Sequence, residues 1–132
     1  LRSATALVLV AAGGTVGTAM RYLISEAIPP AGGIPAGVLA VNLTGAALLG
    51  FLIVWLEMRG ADVGRRRATR LALGTGVLGG YTTYSALATD TAELIIEGRP
   101  HIGTSYALAT ILLGAAATWA GILLGRTIGH PR

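Results

Sequence analysis

Long apolar runs alternate with short polar stretches along the 132 residues of this chain. The apolar runs cover residues 5–28, 35–56, 71–96 and 102–124. A transmembrane helix needs about 20 consecutive apolar residues, so each run is long enough to cross a bilayer. We therefore predict an all-α integral membrane protein in which residues 1–132 form a single domain of four transmembrane helices. Because so small a bundle has little interior of its own, we expect it to oligomerise.

The composition supports this prediction. Charged residues make up 12% of the chain, about half of the roughly 25% typical of soluble domains. The first apolar run continues past Gly13 and Gly14 to Met20, which is longer than a cleaved signal sequence normally runs, so we expect it to remain as the first span. The chain has no cysteine, which rules out disulfides and thiolate metal sites.

The arginines are distributed unequally between the two sides of the predicted bundle. With four spans, both termini and the loop over residues 57–70 share one side. That side carries eight of the ten arginines, whereas the other side carries only Arg21 and Arg99. Since short cytoplasmic loops are enriched in arginine and lysine, we predict that both termini and this loop face the cytoplasm. The eight are Arg2, Arg59, Arg65, Arg66, Arg67, Arg70, Arg126 and Arg132.

The stretch "GGYTTYS", residues 79–85, interrupts the third apolar run with residues that weaken a helix. Irregular backbone at membrane depth is tolerated only inside protein or along a water-filled cavity. Discontinuous helices of this kind present free carbonyls to cations and free N–H groups to anions. We therefore predict a break near residues 79–83 and favour a functional role over a packed glycine kink. Beyond the break, Tyr84, Leu87 and Asp90 recur every three residues and are expected to share one helical face.

Three further polar residues lie within apolar runs. Asn42 and Thr44 fall in the second run. From the residues alone, hydrogen bonds between helices explain them better than a functional site does. Arg21 lies near the far end of the first run, and either extension of its side chain to the interface or a polar partner would account for it.

The fourth run has Tyr106, Thr110 and Gly114 on one face, as a stripe of polar and small residues. Pairs of small residues four apart let helices approach closely. Two such pairs predict close helix packing, and they are Gly13 with Gly17 and Gly121 with Gly125.

With the motifs "GGTVGTAMRY", "GVLAVNLTG" and "GVLGGYTTYS" in this order, the chain resembles the Fluc (CrcB-type) fluoride channel family over its whole length. The resemblance implies a bacterial inner-membrane channel that releases cytoplasmic fluoride passively. It also implies an antiparallel dimer with two pores along its interface and a structural sodium ion at its centre. The backbone carbonyls of Gly79 and Thr82 match those that hold the sodium in the family.

The resemblance also assigns an anion pathway, although the chain departs from the family pattern at three positions. Tyr84 and Leu87 stand where the family has phenylalanines, and Val38 stands where it has a threonine. Asp90 matches an acidic position of the third helix. The implied pathway residues are Asn42, Tyr84, Leu87, Ser85, Thr83, Tyr106, Thr110 and Arg21.

The strong arginine bias indicates one fixed orientation in the membrane, whereas an antiparallel homodimer needs a chain that inserts both ways. Leu87 has no aromatic ring edge that could contact an anion, and this departure favours the same interpretation. We therefore expect a heterodimer with a homologous subunit of inverted orientation that supplies the missing phenylalanines. A dual-topology homodimer is the alternative.

Other classes of function find less support in the residues. Four-helix multidrug exporters carry a glutamate in the middle of the first helix, whereas Glu26 lies at its end. His101 and His130 have no nucleophile or base to act with, so an enzyme is not expected. The arginine-rich loop lacks the aromatic residues that would favour nucleic acid as a partner. A poorly conducting structural subunit is the serious alternative, because Leu87 and Val38 both remove pore chemistry.

Overall fold

The structure is a computed structural model that describes residues 2–129, so Leu1, His130 and Arg132 lie outside the described residues. Within that range it consists of helices and short connections, without a β-strand, which confirms the all-α prediction. Three helices are each long and apolar enough to cross a membrane. They are α1 (Ser3–Ala27), α2 (Ala36–Glu57) and α6 (Pro100–Gly129).

The third span is one long helix broken within its apolar run, as predicted. It begins with α3 (Gly64–Thr69), seven residues before the predicted start at residue 71, and continues through a π-helical segment (Arg70–Leu78) into α4 (Gly79–Tyr81). After two residues of extended backbone it resumes as α5 (Tyr84–Ile96). This division explains why the third span provides no single helix long enough to cross a membrane.

The break lies at the two threonines rather than at the two glycines. Thr82 has φ −79° and ψ 153°, and Thr83 has φ −147° and ψ 119°, both in the extended region. Gly79 is still helical, with φ −66° and ψ −35°. Gly80 has a packing role, because a Cβ there would overlap the backbone carbonyl of Gly14 in α1. The glycines therefore let the third span approach α1, and the threonines make the break.

Both predicted glycine pairs lie at close helix contacts. A Cβ on Gly17 would overlap the Val77 carbonyl of the π-helical segment, and Gly13 meets the same segment. In the second contact, a Cβ on Gly121 of α6 would overlap the Ala47 carbonyl of α2, and Gly125 lies next to it. α1 thus packs on the first half of the third span, whereas α2 packs on α6.

Two apolar clusters hold the halves of the bundle. The first joins α2 to the third span before the break, and the second joins α5 to α6. The broken segment therefore lies between two packed regions, with α2 in contact with both of its halves. The first cluster contains Val41, Leu52, Leu56, Leu78 and Tyr81, and the second contains Leu87, Leu94 and Tyr106.

The arginine-rich loop before the third span is partly ordered by its own charges. Arg70 forms an ion pair of 2.7 Å with Asp62, and this hydrogen bond lowers the pKa of the Asp62 carboxyl. Arg66 Nε donates to the Ala61 carbonyl at 2.9 Å. The guanidinium of Arg59 lies 3.9 Å from the ring centroid of Trp55, at the end of α2.

Candidate functional site

The centre of the candidate site is the pairing of Asn42 with the backbone of Thr83. The Thr83 N–H donates to Asn42 Oδ1 at 2.7 Å, and Asn42 Nδ2 donates to the Thr83 carbonyl at 3.0 Å. The Thr83 hydroxyl in turn accepts from the Ala86 N–H at 3.1 Å and caps α5. A single α2 side chain thus satisfies both backbone groups of Thr83, which the hydrocarbon core of a bilayer could not do because it holds no water.

A second α2 side chain holds the residue before the break. Thr44 Oγ1 lies 2.9 Å from the Tyr81 hydroxyl, and Tyr81 is buried. Thr82 lies between the residues held by these two contacts, and a Cβ on Gly45 would overlap its methyl group. The role of Tyr81 was not predicted from the sequence, although a phenol within an apolar run needs a hydrogen-bond partner, and that need was the available signal.

The break opens into a groove of about 290 Å³ on the surface of the chain. Its lining combines the break with α2, α5 and α6, and it includes five of the predicted pathway residues. Tyr84 is 81% exposed there, whereas Leu87, three residues later, is only 7% exposed. The groove is lined by Asn42, Thr82, Thr83, Tyr84, Leu87, Thr110 and Ile111.

Arg21 lies in a separate, larger cavity of about 770 Å³ beside α1. Within residues 2–129 its guanidinium forms no ion pair. Ser25 Oγ, which also borders this cavity, is buried without a hydrogen-bond partner in the same part of the chain. Val38 adds an apolar wall, and Thr83 lines both this cavity and the groove. Thr83 is therefore the residue at which the two spaces meet.

The remaining predicted residues support the groove or lie beside it. Tyr106 is 1% exposed and its hydroxyl donates to Asp90 Oδ2 at 3.2 Å, so it lies behind the groove. Thr110 lines the groove, but its hydroxyl donates to the Tyr106 carbonyl at 2.8 Å. Ser85 is exposed, with its Oγ 3.2 Å from Thr83 Oγ1. Gly114 faces open space.

The carbonyls at the break divide into bonded and free groups. The Leu78 carbonyl accepts from the N–H and the hydroxyl of Thr82, and the Gly80 carbonyl accepts from Thr18 Oγ1. The Thr83 N–H, the α-helical partner of the Gly79 carbonyl, donates to Asn42 instead.

Among the described residues, no hydrogen bond across the break ends on the carbonyls of Gly79, Tyr81 or Thr82. Carbonyl oxygens freed in this way are suited to binding a cation. Gly79 and Thr82 therefore fit the role that the resemblance gave them.

Comparisons with known proteins agree with one another. The family model described as "CrcB-like protein, Camphor Resistance (CrcB)" matches residues 8–122. The chain is 51% identical to the fluoride-specific ion channel FluC 2 of Leifsonia xyli subsp. xyli, over 96% of this chain and 87% of the relative. It is 43% identical to FluC 1 of Cutibacterium acnes over 94% of this chain and 87% of that protein. It is also 43% identical to the fluoride-specific ion channel FluC of a Caulobacter species (strain K31), over 94% of this chain and 97% of that protein.

Proposed function

We infer the function from the premise that this chain belongs to the CrcB-like protein family, in which its curated relatives are named fluoride-specific ion channels. It is a multi-pass membrane protein and a channel subunit rather than an enzyme. We propose that it forms one wall of a fluoride pathway through which cytoplasmic fluoride leaves the cell passively. The observation that carries this proposal is the groove at the broken helix, which joins Asn42 and Thr83 to the exposed ring of Tyr84.

The groove offers an anion several weak, positively polarised contacts. A primary amide has two N–H donors, and Asn42 uses one of them on the Thr83 carbonyl, which leaves the other for an anion. The edge of the Tyr84 ring carries the positive part of the aromatic quadrupole. Because the groove is open to one side in a single chain, a second subunit is needed to enclose the pathway.

The proposed transport needs neither ATP nor a coupling ion. One elementary charge crossing 100 mV changes its free energy by about 2.3 kcal/mol, which sustains a roughly fifty-fold concentration difference. A negative cell interior therefore expels an anion that can pass. In this proposal Arg21, in its large cavity beside Thr83, attracts the anion towards the groove.

A structural sodium ion at the dimer centre is part of the proposal. The free carbonyls of Gly79 and Thr82 would hold it, together with the equivalent groups of a second subunit. When bound, the ion supplies positive charge that keeps the two subunits together. In this chain Asn42 leaves the Gly79 carbonyl free, because it accepts the hydrogen bond from the Thr83 N–H that would otherwise go to that carbonyl.

We propose that the dimer is a heterodimer of oppositely oriented subunits, with both termini of this chain in the cytoplasm of a bacterial cell. The distribution of eight arginines against two supports a fixed orientation. Leu87 supports a partner that provides aromatic residues, since it lines the groove without a ring. The names of two relatives carry the numbers 2 and 1, as expected where an organism has more than one such subunit.

Fluoride efflux from liposomes tests the proposal. The chain is reconstituted alone and then together with a homologous subunit from the same organism, and fluoride release is followed with an electrode. Efflux only in the second case supports the heterodimer. Efflux from the chain alone would replace it with a dual-topology homodimer, and no efflux in either case would refute the channel function.

A poorly conducting structural subunit is the second candidate, and one observation favours it. Leu87 lines the groove and Val38 lines the Arg21 cavity, so an apolar side chain stands in each of the two spaces. Substitution of Asn42 in this chain separates the two functions. If efflux from the complex is unchanged, the conducting groove belongs to the partner.

A further inference from the structure

We propose that the paired hydroxyls of Thr44 and Tyr81 position the free carbonyls of the break and so set how strongly the channel binds sodium. This inference rests on the proposed sodium site at Gly79 and Thr82. Neither hydroxyl belongs to the ion's proposed ligands. Both residues act through the backbone and are therefore positioning residues.

The direction of the hydrogen bond follows from the neighbours of Thr44. Its Oγ1 lies 2.8 Å from the Ala40 carbonyl and 3.2 Å from the Val41 carbonyl. Carbonyls only accept, so the single hydroxyl proton of Thr44 is used within α2. Tyr81 is then the donor to Thr44 Oγ1, at 2.9 Å. The pair thus ties the third span to α2 by one hydrogen bond, which these neighbours assign to Tyr81 as donor.

Tyr81 is placed where such a bond controls the backbone. It is the last residue of α4, which has only three residues and lies directly before the extended Thr82. The last carbonyls of a helix have no partner within the helix, so their orientation at the end of α4 depends on side-chain contacts. The Tyr81 ring is buried against the α2 cluster and its hydroxyl fixes the rotation about that contact.

The two α2 anchors therefore lie on either side of the free Thr82 carbonyl. Asn42 holds Thr83 after the break, and Thr44 holds Tyr81 before it. If only one anchor remains, the peptide groups between them gain rotational freedom. The Thr82 carbonyl would then spend less time in the position that binds a cation together with the Gly79 carbonyl, and the affinity for sodium would fall.

The test measures sodium binding independently of transport. The purified full-length chain, assembled with its partner where one is required, is unfolded thermally over a series of NaCl concentrations. Choline chloride keeps the ionic strength constant. A ligand that binds only the folded protein raises the unfolding midpoint as its concentration exceeds its dissociation constant, so the series gives a half-effective sodium concentration.

Tyr81→Phe keeps the ring and removes only the donor, and Thr44→Val removes the acceptor together with the Thr44 hydrogen bond within α2. Each is expected to raise the half-effective sodium concentration about threefold, the effect of an average hydrogen bond in a membrane protein. The double variant should also show about threefold rather than ninefold, because the two residues share one bond. Thr44→Ser, which keeps the hydroxyl, should match the wild type.

Thr118→Val is the matched control, because among residues 2–129 the Thr118 hydroxyl bonds only the Gly114 carbonyl within α6, and its loss should leave sodium binding unchanged. The inference is overturned if the single variants bind sodium like the wild type, or if the wild type shows no sodium-specific stabilisation. Should Thr44→Val fail to assemble, Tyr81→Phe decides. Fluoride efflux is measured on the same samples, so sodium binding without transport would refute the proposed function alone.

Discussion

Asn42 pairs through its side-chain amide with both backbone groups of Thr83, at 2.7 and 3.0 Å, across 41 positions of sequence. The arrangement replaces the helical hydrogen bonds that the third span gives up at its break. It also means that the residue proposed to contact fluoride is the residue that shapes the break. Structural and conducting effects of Asn42 substitutions must therefore be measured side by side.

Asn42→Ala is expected to leave the Thr83 N–H and carbonyl without partners. An unpaired buried polar group costs about 1–3 kcal/mol, so the unfolding midpoint should fall markedly and fluoride efflux should be lost. Asn42→Asp keeps an acceptor for the N–H but brings a carboxylate to the Thr83 carbonyl, and it should also abolish efflux. Thermal unfolding in detergent and liposome efflux are the measurements. A stable, conducting Asn42→Ala protein would show that the pairing is dispensable.

Gly17→Ala is expected to destabilise the protein by about 1–3 kcal/mol, because its Cβ would overlap the Val77 carbonyl and force α1 away from the third span. Gly14→Ala is the matched control in the same helix. Its Cβ would meet only the Gly76 carbonyl oxygen at 3.9 Å, an ordinary contact. This change should be neutral or stabilising, since alanine favours helix over glycine by about 1 kcal/mol. Equal effects on the unfolding free energy would contradict the packing.

Leu87→Phe is expected to increase fluoride efflux through the groove that this chain lines, because it adds a ring edge beside Tyr84. Some loss of stability from the larger side chain should accompany it, of about 1–3 kcal/mol. Leu94→Phe is the control, since Leu94 belongs to the same apolar cluster but not to the groove. If efflux from the assembled channel stays constant in both variants, the groove of this chain does not conduct.

The orientation can be measured with a single introduced cysteine, because the chain has none of its own. Val63→Cys, in the exposed arginine-rich loop, should react with a membrane-impermeant maleimide only from the cytoplasmic side. Adding Arg65→Gln and Arg67→Gln should raise the fraction labelled from outside, whereas Arg99→Gln on the opposite side should not. Equal labelling from both sides of the unmodified loop would establish dual topology.

The spans and the break were predictable because they depend on composition and local propensity. Apolar runs of sufficient length identify helices in a bilayer, and "GGYTTYS" combines residues that weaken a helix. The location of the break at Thr82 and Thr83 was not predictable in this way. Gly80 stays helical because α1 packs on it, and Asn42 provides the partners that let Thr83 become extended.

The relation of the site residues to one another was harder to predict. The three-residue spacing of Tyr84 and Leu87 predicted a shared helical face, and both line the groove, but Tyr84 begins α5 and is 81% exposed while Leu87 packs on α6 and is 7% exposed. Tyr106 shares a helical face with Thr110, yet its hydroxyl turns to Asp90. Such choices depend on contacts between distant segments, which periodicity alone does not specify.

The π-helical winding of Arg70–Leu78 determines where the chain can change its length. A π turn accommodates one more residue between bonded groups than an α turn, as the Gly79 N–H does when it bonds the Gly74 carbonyl. Removal of a residue such as the exposed Leu73 can be absorbed by local rewinding to α-helix. In α2 the same removal, made before Asn42, would turn its side chain by about 100° away from Thr83. Single-residue deletions are therefore expected to be tolerated in the third span and not in the second.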